Sequence, residues 1–322
     1  MPKPKCTEAE FTRLWRISPT VQAMADVLGT TPRSVYLRRT DMMKRGFSLP
    51  LRESMVTCKP AENRIDVQIE DGVIIVGSDA HYWPGEATTA HKGFVWATEN
   101  LKPFSVILNG DILDGATGGN RHGRSGWEKR PSMKEEIEAV QRRTGDIEKV
   151  AKGAKLLRTL GNHDMRWDSY FASNVEEAED AVEGMALDYY LPFWKCAWTI
   201  MVNGHTLITH RVNNGIHATW TATASTQINT VTGHLHSLRV TPRTTMSPIN
   251  GGVIYGVDCG TLADPWGPQF GYMLGGPRNW RAGFAVLTYM GGYLMPPEIA
   301  MVVDDDCIYF RGEKIDVSGL CQ

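Results

Sequence analysis

The sequence has no apolar run long enough to cross a membrane. Its longest candidate, Val73–Val76, is strand-length, against the ~18 residues a span needs. It also has no C-x-x-C pair: six cysteines, at positions 6, 58, 196, 259, 307 and 321, are scattered through 322 residues. In a chain this large, that scatter excludes a disulfide framework and reads as reduced thiols. The opening Met1-Pro2-Lys3-Pro4-Lys5-Cys6 lacks the apolar stretch of a signal peptide, so a cytoplasmic location without a membrane partner is expected. What is present is an ordinary globular composition, 42% hydrophobic and 22% charged. That share excludes a mostly disordered chain and suffices for a sizeable core in about two domains.

The net charge of −2 hides an asymmetry. Residues 1–58 carry ten Lys/Arg and five Asp/Glu, a surplus of +5, and the remainder carries −7. A basic head on an acidic body suggests that the head meets a polyanion. Within that head, Thr7-Glu8-Ala9-Glu10 is a capping box opening a helix through Leu14 and Trp15. Ser18-Pro19 opens a second helix that ends at Gly29, and Thr31-Pro32 opens a third through Arg39. The middle of this stretch resembles a helix-turn-helix: Ala25 at the close packing point, Gly29 at the tight turn, and Val35 as the apolar contact six residues on. In such a motif the last helix enters the major groove of DNA. Arg33, Ser34, Tyr36, Arg38 and Arg39 are then the candidate DNA contacts. A small helical bundle for protein docking is the other reading. Residues 46–70, with Gly46, Pro50 and Pro60, read as a wing or linker.

The body alternates apolar strands with helical stretches near 86–99, 133–152, 175–189 and 215–227, which argues for an α/β domain. Five strands end in polar residues. Val73–Val76 leads to Asp79 and His81, and Ser105–Leu108 to Asp111 and Asp114. Leu156–Leu160 leads to Asn162, His163 and Asp164, Thr206–Thr209 to His210, and Ile228–Val231 to His234 and His236. Ligands gather at such strand ends. Carboxylate, amide oxygen and imidazole suit hard and borderline divalent cations, and the lack of cysteine in the set argues against structural zinc. Beyond residue 250 the pattern turns to strands and hairpins, including a Gly291-Gly292 turn.

In order, these blocks read D-x-H, G-D-x-x-D, G-N-H-D, a lone His and G-H-x-H. The sequence thereby resembles the calcineurin-like metallophosphoesterases over residues 79–236, half the chain. The resemblance implies an α/β fold, a β-sandwich flanked by helices. Here a small all-α helix-turn-helix domain over 1–58, with a linker to about 70, would precede the catalytic domain at 71–322. It also implies two divalent metal ions, Mn²⁺ by family habit, with Fe, Zn or Mg able to occupy the same site. Asp79, His81 and His236 would hold the first; Asp111 would bridge; Asn162, His210 and His234 would complete the second. His163 would assist the leaving oxygen while a metal-bridging hydroxide attacks phosphorus, with Asn162 neutralising charge. Asp114 would hydrogen-bond His163 and keep it cationic. Gly115 and Asp164 stand where the Ser/Thr phosphatase branch has Arg and Glu, so the chain is more similar to the nuclease and phosphodiesterase branch, and to its phage-type members. His205 and His217 are alternatives to His210 as the lone ligand.

Weaker candidates remain. Arg121 and Arg124, with His122, Trp127, Lys129 and Arg130, form a Gly-rich basic loop that embraces a phosphate backbone or is a plain surface loop. Arg211 meets substrate phosphate or pairs with Asp164 or Asp168. The segment 264–282 caps the site or pads an interface, and Asp304-Asp305-Asp306 reads as a solvated turn. The expected function is a DNA nuclease brought to its substrate by the head. A small-molecule phosphoesterase is the second reading, and a non-catalytic DNA-binding protein the third. Oligomeric state is unread.

Overall fold

The structure is a computed structural model that describes residues 6–18, 21–47, 49, 63–115, 130–166, 187–246, 252–271, 273 and 279–321. The chain divides into two compact units, Met1–Ala61 and Glu62–Gln322.

Among its described residues, the first unit holds three helices, α1 (Glu8–Ile17), α2 (Val21–Val27) and α3 (Pro32–Lys44). Thr7 Oγ1 accepts from Glu10 N at 3.2 Å, and Thr31 Oγ1 from Ser34 N at 3.3 Å, so each cap satisfies a donor that the first turn leaves free. Gly29 turns the chain at φ 56°, the left-handed region where a side chain is costly. Phe11, Leu14, Trp15, Met24, Ala25, Val35, Met42 and Leu49 form its core.

The second unit is a sandwich of two sheets. The smaller runs β1 (Arg64–Val67), β6 (Thr199–Val202), β7 (Thr206–Thr209), β8 (Asn229–Thr232), β10 (Gly252–Asp258) and β9 (Arg239–Thr245). The larger runs β15 (Glu313–Asp316), β14 (Cys307–Phe310), β13 (Glu298–Val302), β11 (Gly283–Met290), β2 (Gly72–Gly77), β3 (Ser105–Asn109), β4 (Lys155–Thr159) and β5 (Lys195–Ala197), with β12 (Tyr293–Leu294) paired to β11. Side-chain alternation decides the layers. Ile74, Val76, Ile107, Leu287 and Tyr289 face Ile200, Val202, Ile208, Val231 and Val257 of the smaller sheet in a dry interlayer. Their neighbours Ile75, Val106, Leu108 and Val286 face outward into a second core beneath α4 (Thr89–Leu101) and α5 (Met133–Val150). Each such aliphatic residue contributes ~1.5–3 kcal/mol by leaving water. On the smaller sheet, α6 (Ala218–Thr226) lies so close to β10 that a Cβ at Gly256 would fall 2.2 Å from Thr219 O. The expected α/β sandwich flanked by helices is what the chain forms.

β2, β3, β4 and β5 run parallel, as do β7, β8 and β10, so their carboxyl ends open on one edge of the sandwich. The expected linker differs from what is found. Arg64–Val67 pairs in parallel with β6 and belongs to the sandwich. The expected helix at 175–189 lies outside the described residues apart from a single 3₁₀ turn, Leu187–Tyr190. Among the described residues, no helix is long and apolar enough to cross a membrane.

Candidate metal centre

The chain turns sharply after β2, β3 and β8, where the polar residues gather. Asp79, His81, Asp111, His234 and His236 all have positive φ, from 40° to 69°. For residues with a Cβ, such a conformation costs about 1–3 kcal/mol each, and five in one place mark a site where the surrounding structure enforces the geometry. Asp164 supplies much of that enforcement. Fully buried, its carboxylate accepts the backbone N–H groups of Asp111 (2.9 Å), Ile112 (2.9 Å), Leu113 (3.1 Å) and Gly161 (3.0 Å). Burial and the neighbouring Asp111 raise its pKa, while Arg158 and the amides oppose them. The turns after β3 and β4 thus close on one side chain. They close tightly: a Cβ at Gly161 would sit 2.1 Å from Asp111 Oδ1 and 2.2 Å from Asp111 N.

Two three-residue clusters result, Asp79–His81–His236 and Asp111–His210–His234, and a third group, His81–Asp114–His163, adjoins them; within each, the donor atoms lie within 4.8 Å of one another. His236 Nε2 lies 3.1 Å from Asp79 Oδ1, and His210 Nε2 lies 3.1 Å from Asp111 Oδ2. His234 N donates to Asp79 Oδ2 at 2.8 Å, and His163 N to Asp111 Oδ1 at 2.7 Å. His210 Nδ1 donates to Asn109 O at 2.9 Å, which leaves Nε2 with its lone pair toward Asp111. His81 Nδ1 is likewise held by Asp114 Oδ1, at 3.0 Å.

The residues fit two divalent cations. Four buried atoms at this edge, His81 Nε2, Asn162 Oδ1, His210 Nε2 and His236 Nδ1, make no hydrogen bond within the described structure. Buried polar atoms left in that state are rare, and all four are of types that bind metal ions. The electrostatics agree. Burial opposes charge on His210, yet Asp79 and Asp111 raise its pKa to about 10; the same carboxylates would hold a cation in place of that proton. Burial and then His210 lower His234 to about 4, leaving its imidazole neutral. Burial works against the charged forms of Asp79 and Asp111, but the histidines outweigh it and hold both carboxyls below the usual range. All the donors are N or O, which suits Mn, Fe, Zn or Mg.

Asn162 and His163 stand half-buried at the open side. Here one expected partner proves to be shared between two histidines. The Asp114 carboxylate makes its short contact to His81, and its Oδ1 lies 3.5 Å from His163 Nδ1, an ion-pair separation. His163 Nδ1 donates instead to the backbone carbonyl of Asp114, at 2.7 Å. The reason is the sharp turn at Gly115 (φ 65°), which brings the Asp114 carbonyl to the imidazole. A residue that sequence reasoning missed completes the group. Arg166 Nη2 donates to His163 Nε2 at 3.0 Å, and Nη1 to Asp114 O at 3.2 Å. The available signal was spacing: Arg166 follows His163 by three residues, one helical turn. Burial and Arg166 pull the His163 pKa down, Asp114 and Asp111 push it up, and the net direction is upward.

The described part of the segment 264–282 packs against the same histidines. Phe270 lies 5.2 Å from His81 and 5.6 Å from His236, and Trp280 lies 4.4 Å from His236, between ring centroids. Arg211 is exposed beside His234 and lowers its pKa. It does not pair with Asp164, whose carboxylate is buried among backbone amides, and Asp168 lies outside the described residues. His205 is turned away, 2.9 Å from Gly292 O and stacked on Tyr293, while His217 stands at the N-cap position of α6 without a side-chain capping bond. Residues 303–306 form the exposed turn between β13 and β14.

In the first unit, Arg33, Ser34 and Tyr36 are exposed on α3. Arg38 and Arg39 are not free in that way. Arg38 donates to Cys6 O at 2.6 Å and lies over the Phe11 ring; Arg39 donates to Leu49 O at 3.3 Å and lies over Trp15. Both arginines thus tie α3 to α1 and to the segments that flank them. Arg121 and Arg124 fall outside the described residues.

Fold and site together define a helix-flanked β-sandwich with paired His/Asp metal-binding clusters at the carboxyl ends of its parallel strands. No family model matches the chain, and no curated protein matches it. Among solved structures, the chain is similar to a metallophosphoesterase from Sphaerobacter thermophilus at 14% identity, covering 68% of this chain and 84% of that one, with a TM-score of 0.36.

Proposed function

We propose that this chain is a two-metal-dependent phosphodiester hydrolase acting on DNA, a nuclease that its helical N-terminal unit delivers as a helix-turn-helix. The observation that carries the catalytic reading is the pair of His/Asp clusters with unpartnered buried donor atoms, set beside the His163–Arg166 pair. Asp79, His81 and His236 would hold one ion and Asp111, Asn162, His210 and His234 the other, with Asp111 shared. Bound there, the ions would supply Lewis-acid polarisation of a phosphoryl oxygen and an acidified water.

The chain's own residues do the rest. Arg166 presents a planar fork of donors, which matches two phosphate oxygens. In the substrate-free arrangement this fork lies against His163 Nε2 and disfavours a proton there, while Nδ1 donates to the Asp114 carbonyl. A phosphate that draws Arg166 away frees Nε2 to take a proton, favoured by Asp114 and Asp111, and to pass it to the leaving oxygen. Asn162 would add an amide donor to the phosphoryl oxygens.

Arg166→Ala is expected to lower kcat/KM about 10- to 100-fold, the worth of one charge-assisted contact of ~1.5–3 kcal/mol. Arg166 lowers the His163 pKa, so its removal raises that pKa. Activity that needs protonated His163 is then retained to higher pH, and the alkaline limb of the pH–rate profile moves up. Arg166→Lys keeps a cation and should move that limb less. A limb that does not move in Arg166→Ala contradicts the coupling.

The testing experiment is cleavage of end-labelled linear DNA, single- and double-stranded, with Mn²⁺, beside a small aryl phosphodiester and its monoester, with His163→Ala as control. DNA cleavage that disappears in the variant supports the nuclease. Ester hydrolysis with intact DNA supports a small-molecule phosphoesterase, a reading favoured by one observation: Arg38 and Arg39 are engaged within the head. Removing residues 1–61 is expected to flatten the salt dependence of DNA binding while sparing the small diester, because counterion release by the head's cations would drive association. Unchanged salt dependence would remove the head from DNA recognition.

A further inference from the structure

Outside the metal centre, α4, α5 and the C-terminal segment bring a histidine, a carboxylate and a thiol together. One donor atom each from His91, Asp146 and Cys321 lies within 4.8 Å of the other two. His91 is completely buried, and its Nδ1 lies 3.0 Å from the Tyr82 hydroxyl. Its Nε2 has no hydrogen bond in the described structure and points at Asp146 Oδ2 across 3.7 Å. That gap is too long for a hydrogen bond. It is close to the separation of two ligands that each sit ~2.0–2.1 Å from one zinc ion. In the tautomer whose Nδ1–H donates to the Tyr82 hydroxyl, Nε2 turns a bare lone pair toward the carboxylate. A cation bound there would satisfy the orphaned nitrogen and share Asp146 with Arg143.

We propose that His91, Asp146 and Cys321 form a separate zinc site that pins the C-terminal segment onto α4 and α5. The Tyr82 hydroxyl would fix the imidazole tautomer, as the outer partner of a metal-bound histidine does. Sulfur, nitrogen and oxygen donors together select a borderline ion such as zinc. Val317 and Leu320 already pack into the core beneath those helices, so the ion would close a contact that the chain begins with apolar burial. Binding replaces the Cys321 S–H bond by S–Zn and releases the proton to solvent, with no change of oxidation state.

The charged groups facing the cluster shape it. Arg143 Nη1 lies 3.1 Å from Asp146 Oδ2 and Lys149 Nζ lies 3.4 Å from Oδ1. They oppose a second positive charge and favour the anionic thiolate as third ligand. Burial, followed by Asp146, holds the free thiol at about 11, so a thiolate there would mark a bound metal.

Cobalt substitution of the full chain tests this without reference to activity. The His/Asp centre has only nitrogen and oxygen donors, so a thiolate-to-cobalt charge-transfer band in the near ultraviolet cannot arise there. The band is expected in the wild type, absent in Cys321→Ser, and retained in His163→Ala. Zinc content should fall by one ion per chain in Cys321→Ser, and added zinc should raise Tm in the wild type more than in that variant. His91→Gln provides a second loss of the band, with circular dichroism confirming its fold. A missing band in the wild type, or one that survives Cys321→Ser with unchanged zinc content, overturns the site and leaves His91–Asp146–Arg143 as an ion-pair network.

Discussion

Asp164→Ala is expected to destabilise the sandwich unit by at least about 4 kcal/mol and to remove bound metal from both clusters. The carboxylate accepts four backbone N–H groups and has no exposure to solvent. Alanine leaves all four donors buried without an acceptor, and each orphan costs ~1–3 kcal/mol. Against a total stability of ~5–15 kcal/mol, that is a large part of what holds the domain folded. For a domain of this size it corresponds to a Tm loss of roughly 10 °C. Metal loss follows from geometry, because three of the four amides belong to the turn that carries Asp111. Asp164→Asn keeps one carbonyl oxygen as acceptor and should fall between wild type and alanine. Thermal unfolding with elemental analysis checks both. An alanine variant within 1 kcal/mol of wild type, with its metal retained, would show that the turns hold their shape without this clamp.

Asp164 also shows where the sequence was legible and where it was not. Its position in G-N-H-D was plain, yet the family resemblance made it a marker of subfamily, and the sequence otherwise offered it as a partner for Arg211. The structure makes it the brace of two turns. The strands were legible because they are short apolar runs that alternate between two cores, as Ile74, Ile75 and Val76 do. Helix starts were legible because Thr7 and Thr31 announce their caps. The pairing of side chains within the site was not. It depends on five residues at positive φ, and a sequence carries no signal for Asp or His adopting that conformation. Hence the contact of the Asp114 carboxylate with His81, beside its longer one to His163, was not foreseen, and Arg166 went unnoticed. β1 escaped because Arg64–Val67 alternates over only four residues, and its partner β6 is some 130 positions later in the chain.

His163→Ala is expected to lower turnover of DNA about 10²- to 10⁴-fold while leaving metal content unchanged. The range is that of one positioned acid. Metal is retained because the donor atoms of both clusters come from other residues; what Asp111 receives from position 163 is a backbone N–H, which alanine keeps. The informative comparison is between leaving groups. A sugar oxygen leaves as a poor alkoxide and needs a proton, whereas an aryl oxide leaves readily without one. Loss of His163 Nε2 should therefore cost the DNA substrate far more than an aryl phosphodiester. The alkaline limb of the pH–rate profile should also vanish with it, because activity falls as pH rises through the His163 pKa. Arg166 bears on the same test. Freed of its imidazole partner, its fork remains available to phosphate, so KM should change little and kcat should carry the effect. Equal losses for both substrates, with the loss in KM, would assign His163 to phosphate binding and leave the leaving oxygen to be protonated by water.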